Sequence, residues 1–410
     1  RRLPLQEAAA GTRHPSRAHG EDRVTEDGGY PRFPAEEMVR RWEAVAQELS
    51  LARADALVAF GAGGHDQAVQ WLTQWPVTRE ALLYWDRRFE LAPVLLVQPA
   101  NHADGAARVA SECEVRWGGL STWATLAEMV PAGRRAGPPL RLGTVGPVPA
   151  SGARLLRARG AELVDLDQAL QRLRLVKSDE ELAWTSRGAE LTDAAFAALI
   201  AEAGEGTSEV ELVAIAESAY LRHGATTHVH SFCSTSMANP SARVPAPWPA
   251  NRRLRAGDVL VCEIGASWWG YPGRLLRTFT VGEGPTAGYR SLHDVAQGAF
   301  EALARALRPG ATGADLREAG SVVEREGYAT CDDLVHGSVG GYLPPVVPGG
   351  GREAAHDAFE VREGMMLVLQ PNVVSPGDMA GVQTGELVVV TAQGCRSLHS
   401  FPPGMGLLGG

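Results

Sequence analysis

The 410-residue chain is 45% hydrophobic and 21% charged, the usage of a packed globular protein, and it is longer than one hydrophobic core readily supports. Its net charge of -9 is spread along the sequence without a basic run, which argues against nucleic acid and for a small-molecule or peptide ligand. Five scattered cysteines without a CxxC pair fit a reducing cytoplasm rather than a disulfide scaffold, and no apolar run reaches the ~20 residues that cross a bilayer.

Residues 1–30 contain no apolar h-region and read as a flexible polar tail. From Pro31 onward, Met38, Trp42, Val45, Ala46 and Leu49 share one helical face and predict a first helix. Apolar runs of strand length follow at 56–60, 81–85, 93–98 and 141–146, separated by helical or loop stretches. That alternation predicts an α/β domain over 31–165. A charged stretch between 163 and 185 feeds a long amphipathic helix and marks a hinge to a second domain over 166–410. Ser208 and Glu211 form a capping box that predicts another helix start. Beyond it come the strand-like runs THVHSF, DVLVCEIGA, LLRTFTVG, MMLVLQPNVV and GELVVVT, and a helix near 288–307 that Arg308-Pro309-Gly310 ends. The second half therefore reads as α+β.

Six segments carry a resemblance: LRLVKSDEEL, GDVLVCEIGASWWGYPGRLLRTF, LRPGATGADL, the His336-Gly337 turn, REGMMLVLQPNVV and AGVQTGELVVVT. In this order they resemble the creatinase/prolidase/aminopeptidase P family of pita-bread proteins. The resemblance implies an α/β N-terminal creatinase-like domain followed by an α+β pita-bread C-terminal domain, and a homodimer. The closing LHSFPPG and the GREA at 351–354 look more like creatinase and its non-peptidase relatives.

Peptidases of that family hold two divalent metals with two aspartates eleven residues apart, a histidine and two glutamates. Carried over residue by residue, these positions fall on Glu263, Arg274, His336, Gln370 and Gly385, with Glu386 next to the last. A guanidinium in place of a carboxylate stays charged at any accessible pH and opposes a dication. The resemblance therefore implies a member without metal or other cofactor. Two further family histidines fall within PAPWP (245–249) and YLPP (342–345), so creatine hydrolysis itself does not carry over.

His336 is a candidate general acid/base because an unperturbed imidazole titrates near neutrality, or else a former ligand position packed in the core. Glu263, on a buried strand, requires a partner; it either pairs with Arg274 or handles substrate or protons. Glu386 alternates with Thr384 on one strand face, and Gln370 with Asn372 on another, which suggests a polar-lined cavity. His228 and His230 of THVH fall on one face of a regular strand, as ordinary packing or as substrate contacts. Cys262 points away from Glu263 as a core thiol, and Trp268 and Trp269 stand at a hairpin-like turn.

The reading drawn from this is a metal-independent enzyme that hydrolyses or eliminates at a C–N bond of a small polar substrate. His336, Glu263 and Glu386 are its catalytic candidates; Arg274, Gln370, Asn372, His228, His230 and Thr384 are its substrate-binding ones. The alternatives are an Xaa-Pro peptidase with one or an altered metal, and a non-catalytic binding protein.

Overall fold

The computed structural model describes residues 29–63, 68–89, 91–131, 138–246, 248–338, 342–350, 359–377 and 379–409. The tail at 1–28 and the GREA segment lie outside them, as does Pro247 of the PAPWP loop.

α1 (Ala35–Leu51) buries Met38, Val45 and Leu49 at the spacing read from the sequence. β1 (Ala56–Ala62), β2 (Glu80–Asp86), β3 (Val94–Gln98), β4 (Glu114–Trp117), β5 (Leu140–Val145) and β6 (Ala161–Asp165) form one mixed sheet in the order β4-β3-β2-β1-β5-β6. Leu57 and Ala59 of β1 pack into one core with α1, α2 (Ala68–Thr73), α3 (Ala103–Val109) and, from beyond β6, Leu170. Ala56 and Val58 pack into another beneath α4 (Thr122–Met129) and α5 (Ala150–Ala158). Both faces are covered, which explains the unbroken apolar runs. The sequence reading leaves β4 and β6 unassigned because these edge strands have few buried residues.

α6 (Asp167–Leu175) leads through the linker into α7 (Asp179–Glu202). Ser178 and Glu181 cap α7 reciprocally, and the capping box at Ser208 and Glu211 starts α8 (Glu209–Leu221). The main path of the second sheet is antiparallel and curled. Its main strands are β7 (Thr226–Ser236), β8 (Asp258–Trp268) and β10 (Leu275–Val281), with β9 (Tyr271–Pro272) pairing β8 at the turn. α9 (Ala287–Ala306), α10 (Gly313–Gly320) and α11 (Val322–Arg325) follow, then β11 (Ala329–Thr330), β12 (Asp333–Ser338), β13 (Tyr342–Pro348) and β14 (Met366–Leu369). After β15 (Val373–Val374) and β16 (Gly381–Val382) come β17 (Gly385–Thr391), β18 (Gly394–Ser397) and β19 (Gly406–Leu408). The main path runs β13-β12-β14-β17-β10-β8-β7. Among the described residues no helix is long and apolar enough to cross a membrane.

Strand register decides which side chains meet. Leu276 of β10 lies opposite Glu263 of β8 and Gly385 of β17, whereas Leu275 lies opposite Ile264 and Glu386. Side chains alternate along a strand, so Glu263 and Glu386 project from opposite faces of the sheet.

Candidate functional site

The centre of the site is an ion pair across the β8–β10 hairpin. Arg274 Nη2 contacts Glu263 Oε1, and each side chain is 13% exposed. Burial raises the Glu263 carboxyl above the ordinary carboxylate range; Arg274 opposes that shift and nearby Asp332 adds to it.

His336 and His228 flank Arg274. His336 is fully buried on β12, and its Nδ1 lies 2.9 Å from the Gly337 carbonyl. A carbonyl only accepts, so Nδ1 carries the proton. Burial and then the Arg274 charge lower His336 to about 3, and the same two causes lower His228 to about 4. Both imidazoles are neutral near pH 7. Gln370 lies against the His336 ring and donates through Nε2 to Asp332 at 3.4 Å.

The polar character extends beyond these groups. Among the described residues, Arg274 Nε, Gln370 Oε1, Asn372 Oδ1 and Gln383 Oε1 are among the buried side-chain atoms without a hydrogen-bond partner. Such atoms are costly unless a ligand or water satisfies them. An open donor on Arg274 and open acceptors on Gln370, Asn372 and Gln383 suit a molecule that carries both an oxygen acceptor and N–H donors.

Several expectations from the sequence change here. Glu386 does not join Glu263 and His336: it binds Arg277, receives a hydrogen bond from the Ser397 hydroxyl, and occupies the opposite face. Thr384, two residues before Glu386, is buried. His228 and His230 part company because a register shift between Thr227 and Val229 breaks the alternation. His228 lies in the field of Arg274, while His230 Nδ1 reaches Glu217 of α8 at 3.0 Å. The depressed value of His336 removes the near-neutral titration on which its acid/base role rested. Glu263, with its raised carboxyl, takes over as the better proton-handling candidate. Cys262 is buried on the side of Arg277, whose carbonyl its thiol approaches at 3.6 Å.

Three residues that hold the site escape the sequence reading. Arg277 is 1% exposed and donates to the carbonyls of Leu276 at 3.0 Å, Gly385 at 3.1 Å and Pro402 at 3.2 Å. His399 Nε2 accepts the Arg274 backbone N–H at 3.3 Å, and its Nδ1 lies 2.7 Å from Asp193 Oδ1. The first bond fixes the tautomer: Nδ1–H donates to Asp193. Burial alone would raise Asp193, but bonds from His399 and Ser400 hold it below its ordinary value. The LHSFPPG segment was the available signal, since a polar pair inside an apolar closing stretch must be bonded to something.

The model of metallopeptidase family M24 matches residues 184–392, just over half of the chain. The chain is similar to the Xaa-Pro dipeptidase of Pyrococcus furiosus, 26% identical over 238 residues that cover 58% of this chain and 66% of that protein. It is also similar to the Xaa-Pro dipeptidase of Pyrococcus horikoshii, 24% identical over 243 residues that cover 59% and 67%. The matched region thus spans about two thirds of these relatives. In fold the chain is similar to the prolidase of Pyrococcus horikoshii, with a TM-score of 0.75 at 19% identity, covering 89% of this chain and 99% of that one. The prolidase of Thermococcus sibiricus gives a TM-score of 0.77 at 18% identity, covering 92% and 100%.

The metals that the family name implies do not fit these residues. Arg274 places a cation on the carboxylate of Glu263, Glu386 faces away and is engaged by Arg277, and Gln370 is neutral. At Gly385 the backbone itself has closed in: a Cβ there would lie 2.6 Å from the Leu369 carbonyl oxygen. Among the described residues no group of three or more His, Cys, Asp or Glu is arranged to hold a metal ion. Fold and matched sequence nonetheless agree, and the chain belongs to metallopeptidase family M24.

Proposed function

We propose that this chain is a hydrolase of small peptides of the Xaa-Pro type, bound at the buried polar cluster around Arg274. The observation that carries the reading is the family match together with relatives named Xaa-Pro dipeptidases. The open polar atoms support it, because a dipeptide supplies a carboxylate or carbonyl for Arg274 Nε and N–H groups for Asn372 and Gln383. In this reading Arg274 binds the carboxylate or the carbonyl oxygen of the substrate, drawing negative charge away from the scissile bond. Glu263, released from part of its pairing, takes a proton from a water whose oxygen bonds the acyl carbon and passes it to the leaving nitrogen as the C–N bond breaks. Neutral His228 and His336 orient the substrate by hydrogen bonds without adding charge.

The test is release of proline from a panel of Xaa-Pro dipeptides by the purified protein, with and without added divalent metal, alongside metal analysis of the preparation. Proline release that Arg274→Gln abolishes supports the reading. Silence on every dipeptide under both conditions overturns it.

A second reading is a metal-independent cleavage of a C–N bond in a non-peptide polar substrate, favoured by the Glu263–Arg274 pair. Turnover of guanidino or ureido compounds in the same panel, with dipeptides inert, would select it. Binding without turnover of either class would select a non-catalytic role. The homodimer implied by the resemblance and the cytoplasmic location read from the cysteines remain part of this proposal, and light scattering on the purified chain tests the first of them.

A further inference from the structure

The six-stranded sheet ends in two edge strands, β4 and β6. An edge strand offers its outer backbone groups to any strand that comes alongside, and charge on it decides which strands are turned away. β6 carries the acids Glu162 and Asp165 and no cation of its own. β4 carries one charge of each sign: the Glu114 side chain is 55% exposed and that of Arg116 47%. Large apolar groups stand beside this pair, with Trp117 49% exposed and Leu120, just after the strand, 95% exposed.

Backbone bonding shows which groups of β4 are spare. Its one neighbour is β3, to which it runs parallel. The Glu114 N–H bonds the Pro93 carbonyl at 2.8 Å, and the Gly118 N–H bonds the Val97 carbonyl at 2.9 Å. Arg116, midway between them, turns its backbone groups the same way, so Val115 and Trp117 turn theirs outward. Among the described residues no strand meets that outer edge.

A second β4 can lie antiparallel along it only in a few registers. Residues opposite one another must both face outward or both face inward, so the two-fold axis passes through a residue and not between two. An axis at Glu114 sets carboxylate against carboxylate, and an axis at Arg116 sets guanidinium against guanidinium; both are unfavourable. An axis at Val115 does the reverse. Val115 then exchanges two backbone bonds with Val115 of the second copy, and Glu114 lies opposite Arg116 of the second copy on either side. Those flanking pairs are the close, non-hydrogen-bonded kind, with Cα atoms about 4.5 Å apart. Within one chain Arg116 Nε already bonds Glu114 at 2.6 Å; in the pair, four charges of alternating sign surround the axis.

We propose that β4 is an interface between two copies of this chain, paired antiparallel about Val115 so that two six-stranded sheets become one. The occupant is a second copy because the strand is complementary in charge to itself. The inference rests on the homodimer of the proposed function, to which it gives a surface, and on nothing about the chemistry at Arg274.

The test is light scattering on the whole chain over about 1–100 μM, the range in which so small a contact associates. Val115→Pro removes an outward N–H and leaves the ladder to β3 intact, since an edge strand tolerates proline there. Arg116→Glu sets acid against acid across the axis, and Glu114→Arg/Arg116→Glu restores opposite charges. The unsubstituted chain associates in pairs; Val115→Pro and Arg116→Glu each raise the dissociation constant about tenfold or more, and the swapped double variant returns it to within about threefold. Circular dichroism checks folding, and if Val115→Pro is misfolded, the two charge variants on the surface decide. A single-chain mass for the unsubstituted protein at every concentration overturns both the surface and the homodimer. A two-chain mass that Arg116→Glu leaves unchanged, or a loss that the swap does not restore, overturns the surface alone. Proline release from dipeptides, present or absent, bears on neither outcome.

Discussion

The Arg274 guanidinium lies on the Glu263 carboxylate, eleven residues back across the β8–β10 hairpin, with both side chains largely withdrawn from solvent. Removing one partner strands the other's charge in the interior. Arg274→Met is expected to cost about 3–5 kcal/mol. The double variant Glu263→Gln/Arg274→Met should lose less than the sum of the two singles, because the first loss removes the reason for the second. Urea unfolding of the four proteins of this cycle measures the coupling.

Acid should destabilise the fold through two histidines. His336 and His228 move from the ordinary 6.5 to about 3 and about 4. Between those limits the unfolded chain binds protons that the folded chain refuses, so stability falls as pH drops below 6.5 and rises as pH climbs back. His336→Gln removes one of these sites and should flatten the acid limb between pH 6 and 4. Unfolding midpoints in urea across that range give the slopes directly.

The Asp193–His399 pair should affect both the fold and the Arg274 site, because His399 bonds the Arg274 backbone. Asp193→Asn removes the charged acceptor for His399 Nδ1–H and for the Ser400 and Phe401 N–H groups. A loss of about 2 kcal/mol is expected, within the range for a buried acceptor bonded several times. Its effect on substrate binding should appear as well, since His399 Nε2 holds the Arg274 backbone. Melting temperature and ligand titration on the one variant separate the two consequences.

Gly385→Glu will not rebuild a metal centre. A Cβ at this position meets the Leu369 carbonyl at 2.6 Å and the Leu276 side chain at 3.0 Å. The expected outcome is destabilisation by about 1–3 kcal/mol from overpacking, without uptake of manganese. Elemental analysis after incubation with the metal, paired with a melt, checks both halves.

Much of the fold was legible because landmarks such as the capping box at Ser208 and the run at 258–266 obey local rules that the structure keeps. The Glu263–Arg274 pairing was legible for the same reason: a buried carboxylate needs a partner, and the nearest cation lies across a hairpin. His228 and His230 misled because strand alternation assumes a regular ladder, and a bulge is a property of two strands together. Glu386 misled because its period along β17 says nothing about which face Glu263 takes; only the register through Leu275 and Leu276 settles that. Arg277 and His399 were invisible because the groups they tie together, Glu386, Gly385 and Pro402 for the first and Asp193 and Arg274 for the second, lie more than a hundred residues from them in sequence.

The loop at 397–402 also has a meaning for the order in which the molecule can assemble. During synthesis, β8 and β10 leave the ribosome long before Pro402 exists to accept from Arg277, and before His399 exists to fix Arg274. β10 must wait further still, for residues 406–408, to gain its parallel neighbour β19. Until then two arginines in the middle of the sheet lack the carbonyl and imidazole groups that hold them. The Arg274 cluster is therefore among the last parts of the chain to acquire its working shape, and a nascent chain stalled before residue 399 would display the hairpin without the site.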